Sequence, residues 1–242
     1  MCVSKTPDTT AKISFTEGGT KFNSEGVNYI MNPYDEWYAL VKAIEVKEAL
    51  GGEVTVINVG PASNDIVIRK ALAIGADKAV RIDKDPDSSF DVAKQIAAYA
   101  EGKNFDVILT GKETIDHNGS EVGAMISELL NLPYVSYASD MSASGDGAEV
   151  TRDVEGGTQT VKLSYPFVLS AAKGLAEQRI PNMRGIMMAK RKPLDVVPAV
   201  AVESKQQVVS FELPAAKDGV KMIDENDMDE LVRLLHEESK VI

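Results

Sequence analysis

Three short loops in this sequence carry residue types that hold an anion. Val59-Gly60-Pro61-Ala62-Ser63 and the longer Thr110-Gly111-Lys112-Glu113-Thr114-Ile115-Asp116-His117-Asn118-Gly119-Ser120 each follow an apolar run and lead into a helical one. Lys5 to Asp8 follows the short apolar start of the chain. A helix amino terminus preceded by glycine and serine offers unpaired backbone N–H groups and the positive end of a dipole, which suits phosphate. A nucleotide is therefore the expected ligand. Such turns also serve as plain connectors, and the sequence contains neither GxGxxG nor GxxxxGK[ST]. His117 beside Asp116 is a weak acid–base candidate, and a residue that caps the next helix or meets solvent is the favoured account of it. No nucleophile–base pair stands out, so no catalytic residue is expected.

A second segment combines apolar and basic character. Residues 177–192, EQRIPNMRGIMMAKRK, place a Pro-Asn break ahead of a short Met-rich stretch and then Lys190-Arg191-Lys192. Methionine is flexible and polarizable and suits a surface that accepts varied partners. Spacing alone favours a plainer account: a helix start with core methionines and a solvated basic end. Met31-Asn32-Pro33-Tyr34-Asp35-Glu36 precedes a helix at 35–50, with acidic residues where they favour the dipole. Asn32 can contact a base or hold a loop, and its position alone does not decide between them.

The elements that would position these loops alternate. Strands are expected at 54–60, 78–82, 105–111 and 134–138, and helices at 63–77, 90–102 and 120–131. In the first of these helices Ile66, Ile68, Leu72 and Ile74 provide the apolar positions, and Gly75 the stop. This order predicts βαβ units and a mostly parallel sheet buried on both faces, whose carboxyl edge is where ligands bind. The opening strand, residues 1–4, is shorter than usual, so residues of the natural amino terminus are expected to be missing or reassigned. Beyond Asp140, two alternating runs around Glu155-Gly156-Gly157 predict a hairpin that extends the sheet in antiparallel fashion. Residues 193–216 read as an extended arm. Residues 224–239 read as a terminal helix capped by Asp224, with Met228, Leu231, Leu234 and Leu235 on one face. The division expected is an α/β domain over 1–192 and an arm plus helix over 193–242, either wrapped around a partner or packed back on the domain.

Composition narrows the function. The chain has 242 residues, 44% hydrophobic and 26% charged, as in a globular domain. No run approaches the roughly 20 apolar residues of a membrane span, so no direct membrane insertion is expected. The first dozen residues have no apolar signal core, which points to the bacterial cytoplasm, or the mitochondrial matrix in a eukaryote. A net charge of −11 argues against general nucleic-acid binding. One cysteine, Cys2, and two distant histidines argue against a disulfide or a metal site.

Taken in order, VSKTPDTTAKI (3–13), MNPYDE (31–36), the Gly60-Pro61 turn, IRKALAIGADKAVRI (68–82), ILTGKETID (108–116), the hairpin at 155–157 and RIPNMRGIMMAKRK (179–192) resemble the electron-transfer flavoprotein beta subunit along nearly the whole chain. The resemblance implies a Rossmann-like fold and a heterodimer with an alpha subunit that bears FAD. It implies that AMP binds in this subunit in a structural role. It also implies electron transfer from acyl-CoA dehydrogenases to a membrane quinone oxidoreductase. Carried over by motif, the nucleotide would touch Cys2, Asn32, Val59, Gly60, Asp116, Ser120, Glu121, Val122 and Gly123. Thr9 and Tyr34 would face the flavin domain. Arg179, Ile180, Pro181, Asn182, Met183, Arg184, Ile186 and Met187 would form the dehydrogenase-docking loop within 177–192, with Met183 as its apolar anchor. The common AMP-type loop has Asn-Gln-Thr-Gly where this chain has Ser120-Glu121-Val122-Gly123. Like charges about 4 Å apart at an effective dielectric of about 20 cost on the order of 4 kcal/mol, so Glu121 is expected to turn away from phosphate. The Val-Gly pair is shared with an electron-bifurcating class, in which a second FAD replaces AMP and accepts hydride from NADH. The Gly-Asp-Thr and Gln that accompany the pair in that class are absent.

Overall fold

The computed structural model describes residues 1–216 and 219–242. The described chain forms two compact units, one of residues 1–13 and 23–209 and one of residues 14–22 and 210–242.

In chain order the elements are β1 (Lys5–Pro7), β2 (Phe15–Thr16), β3 (Lys21–Phe22), β4 (Tyr29–Met31), α1 (Asp35–Leu50), β5 (Thr55–Val59), α2 (Asp65–Ile74), β6 (Lys78–Asp83), α3 (Ser89–Ala100), β7 (Val107–Gly111), α4 (Val122–Leu130), β8 (Tyr134–Ser144), β9 (Gly147–Val154), β10 (Gly157–Ser164), β11 (Phe167–Ala171), α5 (Met183–Ala189), β12 (Leu194–Pro198) and α6 (Met228–Arg233).

Residues 1–3 make the larger unit one sheet. β12, β6 and β5 pair in parallel, and β7, β11 and β8 pair in parallel on the other side. Between the two groups, the Ile57 N–H donates to the Met1 carbonyl (2.9 Å), Val3 N–H to the Ile57 carbonyl (3.0 Å) and Cys2 N–H to the Leu109 carbonyl (2.9 Å). The spatial order is thus β12-β6-β5-(1–3)-β7-β11-β8. The β9–β10 hairpin extends it in antiparallel fashion, as the alternation around 155–157 predicts. The short opening strand has its ladder on both sides. The expected extended arm begins as β12, a strand of this same sheet.

Side chains alternate across the strands because successive Cβ atoms point to opposite faces. Val3, Val56, Leu109, Phe167 and Leu169 join one core with Leu40, Val41, Ile44, Ile68 and Leu72 of α1 and α2. Cys2, Ile57, Ile108 and Val168 join the other with Ile96 of α3 and Ile126 of α4. Burial on both faces explains the near-continuous apolar strands. In α1 the buried Trp37, Leu40, Val41 and Ile44 follow helical spacing. In α2 the buried residues are Val67, Ile68, Ala71 and Leu72, whereas Ile66 is 70% exposed and off the core face. That helix stops at Gly75 (φ 157°), where a side chain would also press on Ile44. Ser88 caps α3 by accepting from the Asp91 N–H at 3.1 Å, so the helix starts just ahead of the expected 90.

The smaller unit has its own contacts. β2 and β3 pair antiparallel, the Phe15 and Phe211 rings stack at 4.9 Å, and Phe211 N–H donates to the Gly19 carbonyl at 2.6 Å. The terminal helix is shorter than expected. Asp224 spends its carboxylate on Asn226, and Asp227 is the cap, accepting from the Glu230 N–H at 3.2 Å. Beyond Arg233 the chain widens into a π turn over Leu234–Glu238.

Candidate functional site

The connections define a crevice. From residues 1–3 the chain moves through α1 to β5 and through α2 to β6, stepping one way along the sheet. It then crosses back through α3 to β7 on the far side of residues 1–3. The reversal separates the first strand from β7, and ligands of such sheets bind beyond the carboxyl ends of the strands at that point.

The loops at this edge are tied together by Asn32. It is fully buried, its Nδ2 donates to the Glu113 carbonyl (3.0 Å), and its Oδ1 accepts from the Ile115 N–H (3.0 Å). Both ends of the amide are thus spent on holding the loop after β7, and its own N–H donates to the Ser4 carbonyl. The loop then turns on two left-handed residues, Asn118 (φ 49°) and Ser120 (φ 53°). Ser120 Oγ donates to Glu113 Oε2 at 2.8 Å, and this bond is the main cause that lowers the Glu113 carboxyl below its usual range. α4 starts at Val122, later than the expected 120, with Glu121 in the cap position and no side chain bonded to the first turn. Gly123 is buried against Thr110 and the Tyr134 ring, where a Cβ would crowd the threonine hydroxyl. Glu121 is exposed and its carboxylate lies over Gly119.

The Val59-Gly60 turn has a polar underside. Asn64 Nδ2 donates to Asn58 Oδ1 (3.1 Å), and Asn58 Nδ2 donates to the Val3 carbonyl (2.8 Å). The Asn64 amide fills the space that a side chain on Gly60 would need. Arg81 Nη1 donates to the Gly60 carbonyl (2.9 Å), with Asp65 and Asp83 on the same guanidinium. Cys2 is buried in the sheet, and burial pushes its thiol up to about 11, which leaves it inert. His117 meets solvent, 3.9 Å from Asp116, and takes no part in capping α4. Among the described residues no three His, Cys, Asp or Glu side chains converge as a metal site.

On the side of α1, a cleft of about 250 Å³ is lined by Tyr34, Asp35, Lys112, Glu113, Asn118 and Lys173. Lys112 pairs with Glu113 at 3.1 Å and lies 5.8 Å from the Tyr137 ring centre. Tyr34 stands at its rim, 58% exposed, with a backbone at φ 61° and ψ −105° that a side chain rarely adopts. Thr9 is also exposed. Next to Asp35 in sequence is Glu36, 5% exposed, whose carboxylate among the described residues accepts only from Ser4, at 2.6 Å from the N–H and 2.7 Å from Oγ. Burial pushes this carboxyl up to about 8 against those two bonds, and Asp116 and Asp35 add to the rise.

Residues 177–192 overturn the core methionines of the plain account, while its solvated basic end holds for Lys190 and Arg191. Asn182 Oδ1 caps α5 at the Gly185 N–H (2.8 Å). Ile180, Met183 and Met187 are 83%, 74% and 67% exposed, and Ala189 alone of α5 is buried. Arg184, Lys190 and Arg191 are exposed as well, but Lys192 turns inward onto α2. The sequence reading missed Glu36, the Lys112 cleft and the inward lysine. From the sequence Glu36 reads as an acidic residue favouring the helix dipole, and a run of three basic residues carries no sign of which one is buried.

A family model described as the electron transfer flavoprotein domain matches residues 19–202. The chain is 38% identical over 231 residues to the electron transfer flavoprotein subunit beta of Syntrophomonas wolfei, covering 94% of this chain and 90% of that protein. It is 35% identical to the protein of the same name from Bacillus subtilis, over 100% of this chain and 98% of that one. It is 33% identical to the one from Homo sapiens, over 94% and 93%.

Proposed function

The chain belongs to the electron transfer flavoprotein family as a beta subunit, and from that membership we propose that it binds AMP in a structural role and docks a dehydrogenase through α5. It does so in a heterodimer with an alpha subunit that carries FAD. The heterodimer takes electrons from acyl-CoA and related dehydrogenases and delivers them to a membrane quinone oxidoreductase. No group of this chain performs a chemical step.

The observation that carries the nucleotide is the start of α4. Its first-turn N–H groups have no side-chain cap, and they stand at the switch point of the sheet beside a loop that Asn32 holds in shape. Phosphate satisfies these donors and meets the positive end of the helix dipole. Glu121 is exposed, and in this reading its carboxylate turns away from the phosphate, because like charges about 4 Å apart would cost on the order of 4 kcal/mol. Cys2, the Val59-Gly60 turn and the loop from Asp116 to Gly123 complete the pocket. Thr9 and Tyr34 face the flavin domain. The segment that follows β12 wraps the alpha subunit, in keeping with the exposed Val209, Leu213, Val220 and Met222 along it.

The test is a cofactor count on the heterodimer co-expressed with its alpha subunit. One FAD and one AMP per heterodimer is the expected result. Two FADs would instead support the electron-bifurcating reading, to which the Val122-Gly123 pair points. A heterodimer with no bound adenylate would overturn the proposal.

A further inference from the structure

α5 has seven residues, too few to be stable on its own, and of its apolar side chains Ala189 alone is buried, so burial contributes little to holding it. Polar contacts at both of its ends do. Ahead of it, Trp37 Nε1 donates to the Arg179 carbonyl at 3.0 Å, and the Arg179 guanidinium makes a two-pronged pair with Glu48 at 2.8 and 2.9 Å. In the middle, Gly185 lies so close to the Ala73 carbonyl that no Cβ would fit.

The far end is held by an exchange between two helices. Arg69, on α2, sends Nη1 to the carbonyls of Ala189 (2.8 Å) and Lys192 (2.7 Å), at and just past the end of α5. Lys192 sends Nζ back to the carbonyls of Leu72 (2.9 Å) and Ala76 (2.5 Å), at the end of α2. The last carbonyls of a helix lack partners within it, and a cation there also meets the negative end of the dipole. Each helix thus supplies, or is followed by, the cation that satisfies the other. Lys192 does this at the cost of desolvation, which lowers its pKa, with Asp77 opposing that shift and Lys47 adding to it.

We infer that Arg69 and Lys192 are positioning residues: they set the attitude of α5, and so the presentation of Ile180, Met183 and Met187, without touching the docked protein. The inference rests on the reading of α5 as the docking segment. It separates the basic run by role, with Lys190 and Arg191 facing the partner and Lys192 internal. It also gives Arg69 a purpose that its place in the middle of a helix does not suggest.

The test uses the intact heterodimer as electron acceptor for an acyl-CoA dehydrogenase, with hydrogen exchange of α5 measured on the heterodimer alone. Arg69→Met removes two charge-assisted bonds, enough for roughly a tenfold effect. It should raise the KM for the heterodimer about that much, leave kcat unchanged and speed exchange at residues 183–189. Arg69→Lys, which keeps a cationic donor at this position, should give a smaller change than Arg69→Met in both readouts. If Arg69→Met does not assemble, Lys192→Met removes the opposite half of the exchange and is expected to give the same pair of changes. Wild-type exchange and wild-type KM in these variants, with a raised KM in Met183→Ala, would overturn the positioning role and leave the docking reading standing. An unchanged KM in Met183→Ala, with exchange still faster in Arg69→Met, would show instead that α5 is not the docking segment, and the inference would fall with it.

Discussion

Replacing Glu36 by glutamine should remove a pH dependence that this one carboxyl imposes on stability. In the folded chain Glu36 is buried, and among the described residues it faces no cation and accepts only from Ser4. Burial raises it from the ordinary 4.5 to about 8. The folded protein therefore keeps this proton at pH values where the unfolded chain has released it. Its contribution is fully present below about pH 4.5, is lost steadily as pH rises, and levels off above about pH 8. At about 1.4 kcal/mol per pH unit, the whole change is on the order of 5 kcal/mol. Glutamine fits the same two bonds, with its oxygen accepting from the Ser4 N–H and its amide donating to the Ser4 hydroxyl, and it has no proton to lose. The assay is denaturant unfolding of wild-type and Glu36→Gln heterodimers at matched concentration across this pH range. The difference between them isolates the carboxyl from every other titrating group. The wild type should lose ground to the variant by about 1 kcal/mol or more per pH unit through the middle of the window. Parallel curves, or a wild type that gains on the variant as pH rises, would refute the argument that Glu36 is held neutral by burial.

Met183→Ala should slow electron transfer from an acyl-CoA dehydrogenase at subsaturating heterodimer and leave the bound nucleotide in place, because truncating an interface anchor costs roughly 2 kcal/mol or more; unchanged rates would remove Met183 from docking. Glu121→Gln should keep or tighten AMP, since a carboxylate about 4 Å from phosphate would cost on the order of 4 kcal/mol and so turns away from it; loss of nucleotide from the purified heterodimer would make Glu121 a direct ligand contact. Tyr34→Gly should leave stability within about 1 kcal/mol, because relief of about 1–3 kcal/mol of backbone strain offsets the entropy that glycine brings; a drop beyond about 2 kcal/mol in a melting experiment would show that the strain is not there. The beta chain expressed alone should hold little or no FAD, and a stoichiometric flavin spectrum on it would favour the bifurcating reading.

The sequence determined by itself the features that depend on near neighbours. The alternation of strands and helices, the stops at Gly75 and near Gly102, and the hairpin at 155–157 were legible because period, glycine and turn chemistry act over a few residues. The motifs were enough to identify the family. What the tertiary structure decided were the choices among distant partners. Residues 1–3, legible as a short opening strand, became the central one because β5 and β7 offer them a ladder on both sides, and nothing in Met1-Cys2-Val3 announces that place. Asn32 became a loop brace because two backbone groups more than 80 residues away meet its amide. Glu36, written like an ordinary acidic residue at a helix start, is raised by burial because α1 packs so closely on β7 that Gly111 has no room for a side chain beside it. Lys192 is internal and Lys190 is not, although both belong to one basic run, because Lys192 meets the open carbonyls that end α2. A local pattern fixes which faces a segment can offer, but hydrogen-bond partners and desolvation are settled only where segments far apart in the chain come together.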